Sequence, residues 1–227
     1  FLSILLSSSF LMAQEQPVIF YDNSEAVSIL NSAADESSLL LSKTSPSIIY
    51  SRTHNRTISS QTFMPSDIWV AKGTLMKSLD LGSKSINSAI GFLNGNESFV
   101  YASVREEDAG YETQLMIADW QGGKPSNIRT FEIKYFTNKS PHFGASISID
   151  EKHIMMSMEA NVTMGVEDLY VSHLQQNGEW SPPMSLGYGI NTRGQEITPF
   201  LAHDNKTLFF ATNGRDGFGS FDIYYAK

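Results

Sequence analysis

The chain has 227 residues, of which 41% are hydrophobic and 18% charged, with a formal net charge of −8; that composition suits a folded domain with a sizeable core and excludes a disordered chain. The acid excess, with no Lys/Arg cluster to offset it, excludes a nucleic-acid backbone or an anionic membrane surface as the main partner, since either requires a basic patch. With no cysteine, disulfides, thiolate metal sites, cysteine nucleophiles and a lipoprotein anchor are excluded together.

Residues 1–13 (FLSILLSSSFLMA) form an apolar and serine run that gives way at once to polar Gln14-Glu15-Gln16. The run is too short to span a bilayer and has the form of a signal-peptide core cut after Ala13; a buried N-terminal strand is the alternative. Residues 1–16 are therefore set aside as a partial signal peptide, and 17–227 carry the fold. The basic leader and initiator Met are missing, so the chain is expected to start part-way through its gene product.

Four repeats follow, at about 30–72, 86–119, 137–173 and 190–227, joined by outer strands. Residues 30–41 (LNSAADESSLLL) lie over 190–201 (INTRGQEITPFL) at an offset of 160, and the same offset brings Ser47–Ser51 onto Thr207–Ala211 without a gap. Apolar second strands recur at Ile48, Phe99, Ile154 and Leu208, in steps of 51, 55 and 54. Third strands recur as Asp67-Ile68-Trp69-Val70, Gln114-Leu115-Met116-Ile117, Asp168-Leu169-Tyr170-Val171 and Asp222-Ile223-Tyr224-Tyr225. A fourth strand is predicted at Ser78–Gly82, at Arg129–Tyr135 in the second repeat, and at Pro183–Gly187. Asn94-Gly95, Asp150-Glu151 and Asp204-Asn205 supply the turns between first and second strands.

Short strands rich in β-branched and aromatic residues, separated by Asn/Gly/Asp/Ser turns and with a period near 50, predict an all-β propeller of four-stranded antiparallel blades. Helix is expected in under about a tenth of the residues beyond position 30. The chain ends just after the third strand of its fourth repeat. Residues 17–30 resemble the strand that precedes each repeat and could close a ring; an incomplete arc of a larger propeller is preferred.

Gly178-Glu179-Trp180-Ser181-Pro182-Pro183, Leu186-Gly187, Ile190-Asn191-Thr192, Glu196, Pro199, Asp204, Leu208-Phe209-Phe210 and Gly217-x-Gly219-x-x-Asp222-Ile223-Tyr224 together resemble the TolB-type WD40-like β-propeller repeat. The form they are most similar to occurs in bacterial envelope proteins, often upstream of an OmpA-like peptidoglycan-binding domain. The match is strong in the fourth repeat, fair in the first and loose between; Gln114 stands where the other repeats have Asp. The resemblance implies a periplasmic or outer-membrane-associated protein whose propeller binds or scaffolds and carries no chemistry of its own.

The residues agree with a non-enzyme. No HExxH, no G-x-S-x-G elbow and no phosphate-binding glycine loop is present. The loop Asn213–Asp222 interleaves oxygen ligands with glycines but lacks calcium-loop spacing; Gly217 and Gly219 are read there as turn residues of positive φ. Glu36 and Glu196 are the candidates for a glycosidase carboxylate pair, but they are two copies of one repeat position. A glycan-active hydrolase of propeller fold is the alternative. Asn31, Glu36, Asp67, Asp168, Asn191, Glu196 and Asp222 are read as structural repeat residues, the aspartates holding backbone N–H groups where third strands begin. The N-x-S/T pattern at Asn138-Lys139-Ser140, like four others, is read as chance. No cofactor, metal or transmembrane span is expected. A partner (an envelope protein, peptide or glycan) is expected at loops on the channel face that carry His54, Arg56, Arg105, Glu106, Asn213, Arg215 and Asp216, because variable loops on a repeated scaffold are where binding resides.

Overall fold

A computed structural model of the chain describes residues 30, 32, 34–42, 47–53, 65–72, 75–79, 81, 85–121 and 123–227. The proposed signal peptide, Asn31, His54 and Arg56 lie outside the described residues, and Glu36 is described by its backbone alone. The regular elements among the described residues are all β-strands apart from one three-residue 3₁₀ turn, and no helix among them is long and apolar enough to cross a membrane.

The strands form successive antiparallel meanders. β1 (Glu36–Leu41), β2 (Ile48–Thr53), β3 (Ser66–Lys72) and β4 (Leu75–Leu79) pair in chain order, as do β5 (Ser85–Leu93), β6 (Ser98–Glu107), β7 (Gly110–Gln121) and β8 (Lys124–Thr130). One parallel pairing, Ser66 beside Ile86, joins these two into an eight-stranded sheet. The third meander is β9 (Gly144–Ile147), β10 (His153–Met158), β11 (Asp168–His173) and β12 (Met184–Ser185). The fourth is β13 (Glu196–Leu201), β14 (Leu208–Thr212) and β15 (Asp222–Ala226).

The second strand of each meander lies between two partners, and in the second and third meanders its two faces also meet neighbouring layers. This is why Phe99–Val104 and Ile154–Met158 are buried without alternation. The turns form where Asn, Gly and Asp predict them. Asn94, Gly95 and Asn96 take φ of 55°, 64° and 77° between β5 and β6, and Asn205 takes 53° between β13 and β14, conformations that Gly and Asn adopt at least cost.

Three apolar layers hold the meanders face to face. Ile49, Ile68 and Val70 of the first pack on Phe99, Tyr101 and Trp120 of the second. Val100, Leu115, Phe131 and Ile133 pack on Ile154, Met156, Tyr170 and Trp180; Met155 and Leu169 pack on Leu208 and Phe210. Fully burying one such side chain contributes about 1.5–3 kcal/mol.

Two expectations are corrected. The fourth strand of the second meander is Lys124–Thr130, not Arg129–Tyr135. The turn at Gly123, whose φ is +85°, starts the strand early, and Phe131 and Ile133 then leave the sheet edge to meet Trp180, with Phe131 and Trp180 ring centroids 5.9 Å apart. Arg105-Glu106-Glu107 is not loop but the end of β6: Glu106 pairs with Tyr111 and Glu107 with Gly110, so the hairpin runs on until Asp108.

Candidate functional site

The first strands β1, β5, β9 and β13 converge on a channel. A cavity of about 400 Å³ opens where these strands begin, lined among others by Ile86, His142, Phe143, Glu167, Gln195 and Phe221. A second cavity, of about 420 Å³, lies toward the turns where the same strands end, and Gly144 and Thr198 border both. Inner-strand irregularities coincide with the channel: the pairing registers of β1, β5 and β13 each slip there, and Ser38 and Thr198, 160 residues apart, take φ of 52° and 50°. Such bulges bend a strand and re-aim its side chains.

At the first opening, the loop before β11 and the start of β13 place Glu167 and Glu196 together. The Glu196 backbone N–H donates to the Glu167 carbonyl at 2.8 Å, and both side chains are fully buried. Glu196 Oε1 accepts the hydroxyls of Thr192 (2.6 Å) and Thr212 (2.7 Å), and its Oε2 accepts the Thr192 N–H at 2.9 Å. Glu167 accepts the Ser140 hydroxyl on one oxygen and the Gln195 amide at 2.5 Å on the other. Two buried carboxyl groups are tolerable only because hydrogen-bond donors surround them. Of the two, Glu167 borders the cavity.

Asp168 follows directly and is also buried. Its carboxylate accepts the N–H groups of Met164 (2.8 Å) and Gly165 (3.3 Å) from the preceding turn. Burial pushes its pKa up, those two N–H groups pull it down, and the nearby Glu196 adds a smaller upward push. Asp222 plays the same part in the fourth meander, accepting the N–H groups of Phe218 (3.0 Å) and Gly219 (3.2 Å). Asp67 occupies the matching position of β3, opposite Arg52.

Asn191 bridges layers. Its Oδ1 accepts the Leu169 N–H at 2.8 Å, and its Nδ2 donates to the Leu169 carbonyl at 3.1 Å and to Ser185 Oγ at 3.0 Å. Asn87 donates to the Ser66 carbonyl at 3.1 Å, and Asn138 donates to Thr113 Oγ1 at 2.9 Å and to the Ser140 carbonyl at 2.8 Å. Asn138 thus belongs to the same repeat position, 51 residues after Asn87 and 53 before Asn191; its N-x-S pattern hides a buried anchor.

The described loop residues among those named from sequence, Arg105, Glu106, Asn213, Arg215 and Asp216, line neither cavity. Arg105 sits on β6, 3.3 Å from Ser85 Oγ, and Glu106 is exposed beside it. Asn213 and Arg215 brace the fourth meander: Asn213 Oδ1 accepts the Gln195 N–H at 2.8 Å, and Arg215 donates to the carbonyls of Gly189 (2.7 Å) and Ile190 (3.0 Å). Asp216 is exposed, and its carbonyl accepts the Tyr224 hydroxyl. Neither Gly217 nor Gly219 has positive φ. Gly217 is required instead because any β-carbon there would strike the Asp222 carboxylate. The cavity residues His142, Phe143, Glu167 and Phe221 have no motif spacing in the sequence; only the juxtaposed Glu167-Asp168 and Gln195-Glu196 pairs mark the place. Among the described residues, no group of three or more His, Asp or Glu side chains is arranged to hold a metal ion.

No protein-family profile matches the chain, and no curated protein matches it. Solved structures do resemble it. A GH32 beta-fructofuranosidase of Bombyx mori superposes with a TM-score of 0.51 at 13% identity, covering 84% of this chain and 45% of that one. Prolyl oligopeptidase B of Galerina marginata gives 0.49 at 11% identity, covering 83% and 26%. A protein assigned as TolB from Agrobacterium tumefaciens gives 0.46 at 13% identity, covering 75% and 52%. The chain spans about half the length, or less, of these proteins, and at such identity the likeness concerns fold alone. With its inner strands gathered on a channel and its sheets stacked face to face, the chain has a propeller-like all-β fold.

Proposed function

We propose that the chain is a non-catalytic binding or scaffolding propeller of the bacterial cell envelope, each meander serving as one blade, in an arc left open at the fourth. It engages an envelope protein, peptide or glycan at the cavity bordered by His142, Phe143, Glu167 and Phe221. One observation carries this reading: the buried carboxylates at that opening are committed to the fold. Glu196 takes three donors from Thr192 and Thr212, and Glu167 takes Ser140 and Gln195. A general acid or a nucleophile has to be free to gain or lose a proton or a bond during turnover. What remains at the opening is a recess of about 400 Å³ with aromatic and polar walls, a size and lining suited to a peptide side chain or a sugar ring. Export follows from the leader-like residues 1–16, and an anchoring neighbour of the OmpA-like kind belongs to the same reading.

A glycan-active hydrolase of the same fold is the competing reading, favoured by one feature, the position of Glu167 at the cavity wall. Incubation of purified protein with a panel of polysaccharides and peptides separates the two. Saturable binding without cleavage is expected, and Phe143→Ala or Phe221→Ala should weaken it. Cleavage that is abolished by Glu167→Gln or Glu196→Gln would overturn the binding reading.

A further inference from the structure

The opposite end of the channel differs in chemistry. Its cavity, of about 420 Å³, is walled by residues of all four inner strands and is largely apolar. Leu39, Leu41, Ile149 and Phe200 of this lining stand 58%, 66%, 40% and 51% exposed. Apolar side chains from two inner strands, β1 and β13, and from the turn after β9 are thereby presented at one place to solvent, where a folded chain gains by covering them.

Among the polar groups of this lining, Asn96 has an orphaned donor. The Asn94–Asn96 turn carries Asn96 to the cavity wall, where its residue is only 3% exposed and its Nδ2 is buried with no hydrogen-bond partner. An unsatisfied buried amide donor is costly, and native structures leave few of them. The single ionisable side chain among the described lining residues is Glu151, and its two oxygens already accept the Gly95 N–H at 3.1 and 3.3 Å. No lysine or arginine is present among the described lining residues to hold an anion, and the orphaned Nδ2 donor cannot accept a hydrogen bond from an ammonium group.

We propose that this end of the channel is a binding site for a neutral acyl amide or ester, its carbonyl oxygen accepting the hydrogen bond of Asn96 Nδ2 and its apolar body covering Leu39, Leu41 and Phe200. The cavity volume falls within the range of small-molecule sites. The site lies away from the Glu167 cavity and does not depend on the function assigned there.

The test is a titration of isotope-labelled full-length protein with octanamide, followed by NMR at the Asn96 side-chain amide and at the Leu39 and Leu41 methyls. Octanoate and octylamine serve as charged controls of equal length. Saturable shifts at all three residues are expected with octanamide, and markedly weaker ones with either charged analogue. Asn96→Asp, which keeps the shape but removes the donor, should weaken octanamide binding on the order of tenfold. Leu41→Ser, at an exposed position that folding does not depend on, should weaken it as well. Absence of saturable shifts with octanamide overturns the proposal. So do equal affinity for the three probes and binding indifferent to both substitutions.

Discussion

Asp168 shows what a single repeated side chain does. It is buried at the start of β11 and holds two N–H groups of the turn before it, so Asp168→Ala orphans both donors. The expected loss is about 1–3 kcal/mol, read as a lower melting temperature, with binding at the Glu167 cavity unchanged. The pH dependence has a definite sign. Burial raises the folded-state pKa of Asp168 above its unfolded value, so its contribution is fully present below the unfolded value near 3.9 and partly lost as pH rises through the folded one. The gap between wild type and Asp168→Ala should therefore be widest in acid and narrow toward neutrality. Melting curves with and without calcium check the role itself: a calcium-dependent rise in wild type that Asp168→Ala lacks would make the carboxylate a metal ligand.

Elements are positioned by a second repeated side chain. Asn87, Asn138 and Asn191 stand at the entry to β5, β9 and β13, and each donates to the preceding meander, at Ser66, Thr113 and Leu169. These bonds lie among buried groups, where an amide that satisfies both N–H and C=O of one residue sets the spacing of two sheets. Asn191→Ala removes all three of its bonds and orphans the Leu169 N–H, while the Leu169 carbonyl keeps the Leu186 N–H at 3.0 Å, a loss of about 1–3 kcal/mol. Hydrogen exchange should show faster opening of β13–β15 than of β5–β8 in this variant. Uniform acceleration across the chain would mean that the asparagine does not act locally. The turns that begin second strands were legible because Asn-Gly, Asp-Glu and Asp-Asn name their own backbone conformations. The Asn138 anchor was not, since its surroundings in the sequence do not align with those of Asn191.

At the scale of the molecule, the fourth meander is covered on one face only. Phe200, Phe209 and Tyr225 pair side by side across β13, β14 and β15, with Ile223 beyond them, and these four side chains are 51%, 40%, 66% and 80% exposed. The equivalent faces of the other meanders are buried in the three inter-sheet cores. Among the described residues, β15 has a strand partner on one edge alone. An apolar face beside an open sheet edge promotes association. Light scattering of residues 17–227 should thus show concentration-dependent oligomers that Phe209→Lys combined with Tyr225→Lys disperses. A compact monomer at every concentration would count against an open arc.

The all-β class and most of the strand sites were readable in the sequence because each depends on local patterning: residues two apart share a face, and turn residues carry their own φ. Even the aspartates at Asp168 and Asp222 could be assigned, since the N–H groups they hold lie within four residues. The lining of the proposed site was not readable in this way. His142, Glu167, Gln195 and Phe221 meet from four separate loops and strands, and Asn96 becomes an orphan donor only because inner strands up to about 100 residues away close over it. Arg215, which looks like a ligand-seeking cation in the sequence, is turned to the carbonyls of Gly189 and Ile190. Burial and partnership are properties of chain packing between distant segments, and so the tertiary structure alone decided which polar groups serve the fold and which face a cavity.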